Sequence, residues 1–165
     1  MNYTVRLALC SILLLVGTSY AEEKDKTMEL FQQINSLQTT QIATVFLVPP
    51  DVSFRVQLNE NLLRKWGCTY TTRDHSSIAS LVGILERADV KVAENETRPF
   101  DTRQGIFLTL ADGTQVKLLL GQNFNGLSTV RGAFNNTYVT AAASPPQDLS
   151  LWATQTGAPV GNRCP

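Results

Sequence analysis

An α+β fold is predicted from this chain of 165 residues: a mainly antiparallel sheet of about five to seven strands, three or four helices packed on one face, and one disulfide. Three observations carry the prediction. Strand-like and helix-like periodicities are grouped along the chain rather than strictly alternating. The stretch "GIFLTLADGTQVKLLLG" (105–121) is two apolar runs around an Asp-Gly turn. Ile78, Leu81, Val82, Leu85 and Ala88 recur at helical spacing.

Taken in order, Met28, Phe31, Ile34 and Leu37 mark an amphipathic helix over 27–38. "IATVFLV" (42–48) is β-branched, apolar and stopped by Pro49-Pro50, which predicts a central strand. "SFRVQL" (53–58) alternates Phe54, Val56 and Leu58 with polar neighbours and reads as a half-buried strand. Asn59 has the place of a helix N-cap, with Leu58 and Leu63 as a hydrophobic staple and Gly67 as the left-handed residue that ends the helix. "CTYTT" from Cys68 is a short strand. Ser77 is read as the cap of the next helix, whose buried stripe is the Ile78 to Ala88 series. "VKVAE" after it is a further short strand.

The hairpin's own pattern selects its loop. A two-residue turn at Asp112-Gly113 pairs apolar with polar side chains. A three-residue loop, Ala111-Asp112-Gly113, pairs Leu110 with Thr114, Leu108 with Val116 and Ile106 with Leu118 and makes one face apolar, with Gly113 left-handed. Strands are expected near 127–133 and 137–143, turning at Asn135-Asn136. Ser144, Pro145 and Gln147 open the last helix as cap, first helical residue and capping-box partner. Leu149, Trp152 and Ala153 form its buried face, and Gly157 closes it.

The N-terminus sets the compartment. Arg6 precedes an apolar run, Leu7 to Gly17, followed by Ser19, Tyr20 and Ala21. This is the order of a cleaved secretory signal peptide, residues 1–21. The run of 11 residues is short of the roughly 20 that span a bilayer, so no permanent membrane span is expected. Cys10 lies too early in the run to be a lipoprotein site. Residues 22–165 then form a single domain, with 22–26 a disordered leader. The style of the signal points to a periplasm, with secretion to the exterior as the alternative.

Loss of residues 1–21 removes Arg6 and leaves 13 Lys+Arg against 14 Asp+Glu, a net charge of −1. A nucleic-acid binder carries a basic excess, so that class is excluded. Two cysteines remain, Cys68 and Cys164. An even count in an exported chain predicts a disulfide. It closes a loop of roughly 100 residues, for which chain entropy gives about 4.7 kcal/mol, and it ties the tail to the body.

Chemical constellations are sparse. His75 is the single histidine; Asp74, His75 and Ser76 are contiguous, and adjacent side chains diverge where a triad needs them to converge. They read as a turn and cap. No CxxC, HExxH or EF-hand spacing is present, so neither metal nor cofactor is expected. Glu94, Glu96 and Asp101 cluster in "AENETRPFDTR" with Arg98, Phe100 and Arg103, a paired-carboxylate hydrolase pattern or, more commonly, a solvated loop or binding rim. Asn123, Phe124 and Asn125 have the profile of an exposed recognition loop, or of a loop whose aromatic folds back on the core. Asn95 and Asn135 begin sequons, which matter only in a eukaryotic secretory pathway.

These readings converge on an exported, periplasmic, non-enzymatic protein-interaction module. An immunity protein or inhibitor of a cell-envelope lytic enzyme, or an accessory subunit of an envelope machine, fits them, with another envelope or effector protein as partner. Its candidate contact residues are Arg98, Phe100, Arg103, Asn123, Phe124 and Asn125, in loops 94–103 and 122–136. The alternatives are a small-molecule or glycan binder with Tyr70, Phe100, Phe124 and Trp152 lining a pocket, and a hydrolase using Glu94, Glu96 or Asp101.

Overall fold

Alternating side chains on neighbouring strands must share a face, and the register that satisfies this defines the architecture. The computed structural model describes residues 29–30, 32–49, 52–93, 98–123 and 127–156. The signal peptide, the leader 22–26, Cys10, Met28, Phe31, Glu94, Asn95, Glu96, Phe124, Asn125, Gly157 and Cys164 lie outside them. Helical residues 29–30 and 32–36 (α1) run into a 3-10 turn, Leu37–Thr39. Then come β1 (Thr40–Leu47), α2 (Glu60–Trp66), β2 (Cys68–Thr72), α3 (His75–Arg87), β3 (Lys91–Val92), β4 (Thr102–Leu110), β5 (Gln115–Gly121), β6 (Thr129–Phe134), β7 (Thr137–Ala142) and α4 (Pro145–Thr156). The seven strands form one sheet, ordered β2-β1-β4-β5-β6-β7-β3, with every pair antiparallel. The fold class is α+β, as the grouped periodicities predict.

One face carries the main core. Ala43 and Val45 of β1, Ile106 and Leu108 of β4, Val116 and Leu118 of β5, Val130 and Phe134 of β6 and Val139 of β7 are buried there against α1, α3 and α4. The α3 stripe is buried along its length: Ile78, Leu81, Val82, Leu85 and Ala88 are at most 4% exposed. Trp152 of α4 is 2% exposed, and its indole Nε1 donates to the Ser77 carbonyl at 2.8 Å. That bond holds α4 against the first turn of α3.

The hairpin has the predicted register. Leu108 faces Val116, Ile106 faces Leu118, and Leu110 N donates to Thr114 O at 2.9 Å. Gly113 takes φ +83°, open only to a residue without a Cβ penalty. β1 lies between β2 and β4, as its continuous apolarity predicts. At the β6–β7 turn Asn135 has φ +52°, a left-handed value that asparagine tolerates.

The opposite face differs from expectation. Helix α2 lies on it, with Leu63 packed among Phe46, Val48, Leu58 and Leu119. Helices therefore cover both faces, three on one and the short α2 on the other. Residues 53–58 form no strand. The hydrogen-bonding edges of β1 are already taken by β2 and β4, so the segment cannot pair with the strand it follows. The segment instead wraps over the second face, with Leu58 fully buried, Phe54 half-buried and Val56 54% exposed.

Two caps also differ. Asp74, not Ser77, caps α3. Its carboxylate accepts both the Ser76 hydroxyl and the Ser77 N–H, and a charged acceptor matches the positive end of the helix better than a hydroxyl does. Gly67 ends α2 in extended backbone, φ −76° and ψ 154°. Glycine is needed there for space: an added Cβ would lie 2.7 Å from the Leu63 carbonyl oxygen. Asn59 caps α2 as predicted, accepting the Leu62 N–H at 3.0 Å.

Candidate functional site

The exposed side of the second face has a concavity centred on Phe100. Pro99 and Phe100 stand between two clefts. One, of about 380 Å³, is lined by Gln57, Asp101, Gly121, Gln122, Leu127, Thr129, Val130 and Arg131 besides those two residues. The other, of about 330 Å³, reaches Glu60 of α2 and its cap Asn59, and Leu119, Ala133 and Tyr138. The Phe100 ring meets Tyr138 edge-on, with centroids 6.4 Å apart. Strand register accounts for this placement: Leu119, Ala133 and Tyr138 follow one another across β5, β6 and β7 on the same face.

The charged groups around the clefts are held by the fold. Asp101 Oδ1 accepts the Leu58 N–H at 2.7 Å and its Oδ2 accepts Arg103 Nε at 2.7 Å. Arg103 Nη1 donates to the Val52 carbonyl at 2.8 Å, and its guanidinium lies 5.6 Å from the Phe54 ring. With its side chain 13% exposed, Arg103 fastens the 52–58 segment to the start of β4 and does not stand at a rim. Glu60 takes Lys117 Nζ at 2.8 Å and Arg64 Nη2 at 3.0 Å. Burial alone raises the Glu60 pKa, but the hydrogen bonds from Lys117 and Arg64 outweigh it and hold the carboxyl below its ordinary range. Arg64 in turn lies 3.8 Å above the Phe107 ring, a cation–π contact that closes the α2 layer over the sheet.

Of the predicted contact residues, the structure puts Phe100 in the cleft, half-buried, and Arg98 exposed two residues before it. Asn123 follows the cleft residue Gln122; its Oδ1 is buried and has no hydrogen-bond partner among the described residues. The two loops read as recognition elements therefore meet, since Pro99, Phe100 and Asp101 come from one and Gln122, Leu127, Thr129, Val130 and Arg131 from the other. Gln57, Arg131 and Tyr138 were not singled out by the sequence. They join the site through sheet order and through the wrapping of 53–58, which no local pattern encodes.

The aromatic pocket expected from Tyr70, Phe100, Phe124 and Trp152 is not assembled by the described members. Tyr70 pairs with Val45 and so faces α3 and α4, where Trp152 is buried, while Phe100 lies across the sheet. Burial raises the Tyr70 pKa. Asp101, offered as a hydrolytic carboxylate, has both oxygens engaged. His75 is the exposed first residue of α3. Among the described residues no His, Cys, Asp or Glu cluster has metal-binding spacing, and no helix is long and apolar enough to cross a membrane. Asn135, the second sequon's acceptor, donates its Nδ2 to Gln33 Oε1 at 2.8 Å and accepts the Lys117 N–H at 2.9 Å.

The chain matches no protein-family model, no curated protein and no solved structure.

Proposed function

We propose that this protein is an exported, non-enzymatic interaction module whose contact surface is the double cleft around Phe100. The observation that carries the reading is the meeting of two separate loops on a concave face that offers a half-buried aromatic, the 61% exposed Leu127 and amide side chains. An apolar centre with a polar rim is the composition of protein-binding patches. The carboxylates nearest the clefts, Asp101 and Glu60, are engaged with backbone and cations, which favours recognition over acid–base chemistry. An immunity protein or inhibitor acting on an envelope lytic enzyme, or an accessory subunit of an envelope machine, fits a scaffold of this size in the periplasm.

The reading includes a disulfide between Cys68 and Cys164. Cys68 is 2% exposed and shares its sheet face with Leu47, on the side of α3 and α4. α4 packs on β2 and ends at Thr156, and the eight residues from there to Cys164 can reach about 27 Å when extended. An alkylating reagent that labels two thiols in the unreduced, processed protein removes this element.

The test of the contact surface is capture of a partner from envelope extract with tagged protein and with three variants. Phe100→Ala and Leu127→Asp lose the partner while melting near the wild-type temperature. Leu151→Asp, on the outer face of α4 and 61% exposed in the parent, keeps it. Loss through Leu151→Asp with retention through the other two places the contact on the wrong side of the sheet.

A further inference from the structure

A second exposed feature lies on the α2 layer, outside both clefts. Phe54 stacks on Trp66 with centroids 5.2 Å apart and ring planes at 6°. Trp66 is 38% exposed and Val56, two residues from Phe54, is 54% exposed. Arg55 sits between Phe54 and Val56, and Lys65 precedes Trp66. Both cations are exposed, and neither has an ion-pair partner among the described residues. Neither of the two clefts beside Phe100 is lined by Phe54, Val56 or Trp66.

From these observations we propose that the Phe54–Trp66 stack with Val56, Arg55 and Lys65 is a docking patch for an anionic lipid surface. Exposed apolar side chains flanked by two cations that have no ion-pair partner among the described residues match an anionic bilayer interface in both composition and charge. A bilayer interface needs no matching shape. It takes an indole at headgroup level and attracts free cations to anionic lipid, each gaining about a fivefold increase in partitioning. The mostly buried Arg103 guanidinium lies 5.6 Å from the Phe54 ring and backs the stack.

Trp66 reports the contact directly. The chain has two tryptophans, and Trp152 is 2% exposed with its indole N–H bonded to Ser77, so Trp66 alone changes environment. Purified protein is titrated with phosphatidylcholine vesicles that contain about 30% phosphatidylglycerol or none. Every variant is compared in the same processed form, because an attached apolar leader binds vesicles by itself. A blue shift of the emission is expected with the anionic vesicles only, reversed by about 0.5 M NaCl. Arg55→Gln and Lys65→Gln each lower the partition coefficient about fivefold, Val56→Asp abolishes the shift at an unchanged melting temperature, and Phe100→Ala leaves it intact. The proposal is overturned by an absent shift, by a shift that the double charge variant does not weaken, or by a shift with soluble polyglutamate in place of vesicles, which assigns the patch to an acidic protein.

Discussion

The Arg103 guanidinium donates through Nε to Asp101 Oδ2 at 2.7 Å across the single residue Thr102, while Asp101 Oδ1 holds the Leu58 N–H at the same distance. Thr102 N closes the pattern by donating to the Leu58 carbonyl at 2.9 Å. A segment that forms no strand thus takes three hydrogen bonds from the start of β4, two of them from one ion pair. Both side chains are mostly buried, so removing either leaves the other unpaired in a place water reaches poorly.

Asp101→Asn is therefore expected to cost about 2 to 3 kcal/mol of stability, the range for charge-assisted hydrogen bonds lost inside a protein. Urea unfolding measures it. Limited proteolysis localises it: cleavage within 52–58 should appear in the variant before any cut in α3. A variant with wild-type stability and an unchanged digest contradicts the role given to the pair.

Where the pattern of side chains alone decides an element, the sequence is sufficient. The hairpin loop of three residues follows from which face Leu108 and Ile106 must share, and α3 follows from one stripe of five buried residues. Residues 53–58 show the limit. Their alternation is real, but it carries no information on which strand is open to pair, and β1, the strand just before them, is paired on both sides. Asp74 outranked Ser77 as a cap because its carboxylate serves two donors, a competition between adjacent acceptors that spacing does not reveal. For the site, Phe100 and the two loops were legible as polar stretches interrupted by an aromatic. Gln57, Arg131 and Tyr138 were not, because each is far from Phe100 in sequence and reaches it only through the sheet.

Gly67→Ala tests a steric requirement. The new methyl would meet the Leu63 carbonyl at 2.7 Å and Leu63 Cδ1 at 3.2 Å, and backbone cannot yield as a side-chain tip does. A loss of about 1 to 3 kcal/mol is expected, as for overpacked sites. Gly113→Ala is the contrast: a Cβ there meets nothing within 4 Å, but φ is +83°, so the cost is about 1 kcal/mol and arises from the backbone. Equal stability of Gly67→Ala and wild type in thermal unfolding would remove the steric account.

Acid should loosen the helix termini in a defined window. Hydrogen bonds from the Ser76 hydroxyl and the Ser77 N–H lower the Asp74 pKa from 3.8 to about 2, and Glu60 is also lowered. A carboxyl depressed in the folded state binds its proton more readily when unfolded. Its stabilisation is therefore complete above the unfolded pKa and declines as pH falls from about 4 towards 2. Melting temperatures measured from neutral pH down to pH 2 should show the decline, and Asp74→Asn, which keeps an acceptor but cannot titrate, should flatten part of it. Because Asp74 is exposed, salt screens its charge and narrows the difference. A decline of the same size in Asp74→Asn assigns the acid sensitivity to other carboxyls.

Trp152→Phe probes the clamp between the last helix and α3. The indole N–H bonds the Ser77 carbonyl at 2.8 Å, and the ring is 2% exposed. Phenylalanine keeps an aromatic in the core but leaves the donor site empty and part of the volume unfilled. Loss of about 2 kcal/mol is expected from the two effects together, measured by urea denaturation, whereas Leu151→Ala one residue earlier should stay within about 0.5 kcal/mol because its side chain faces solvent. If α4 were only loosely attached to the main core, both substitutions would be equally mild. The difference between them measures how firmly the C-terminal helix is fixed to the body of the protein.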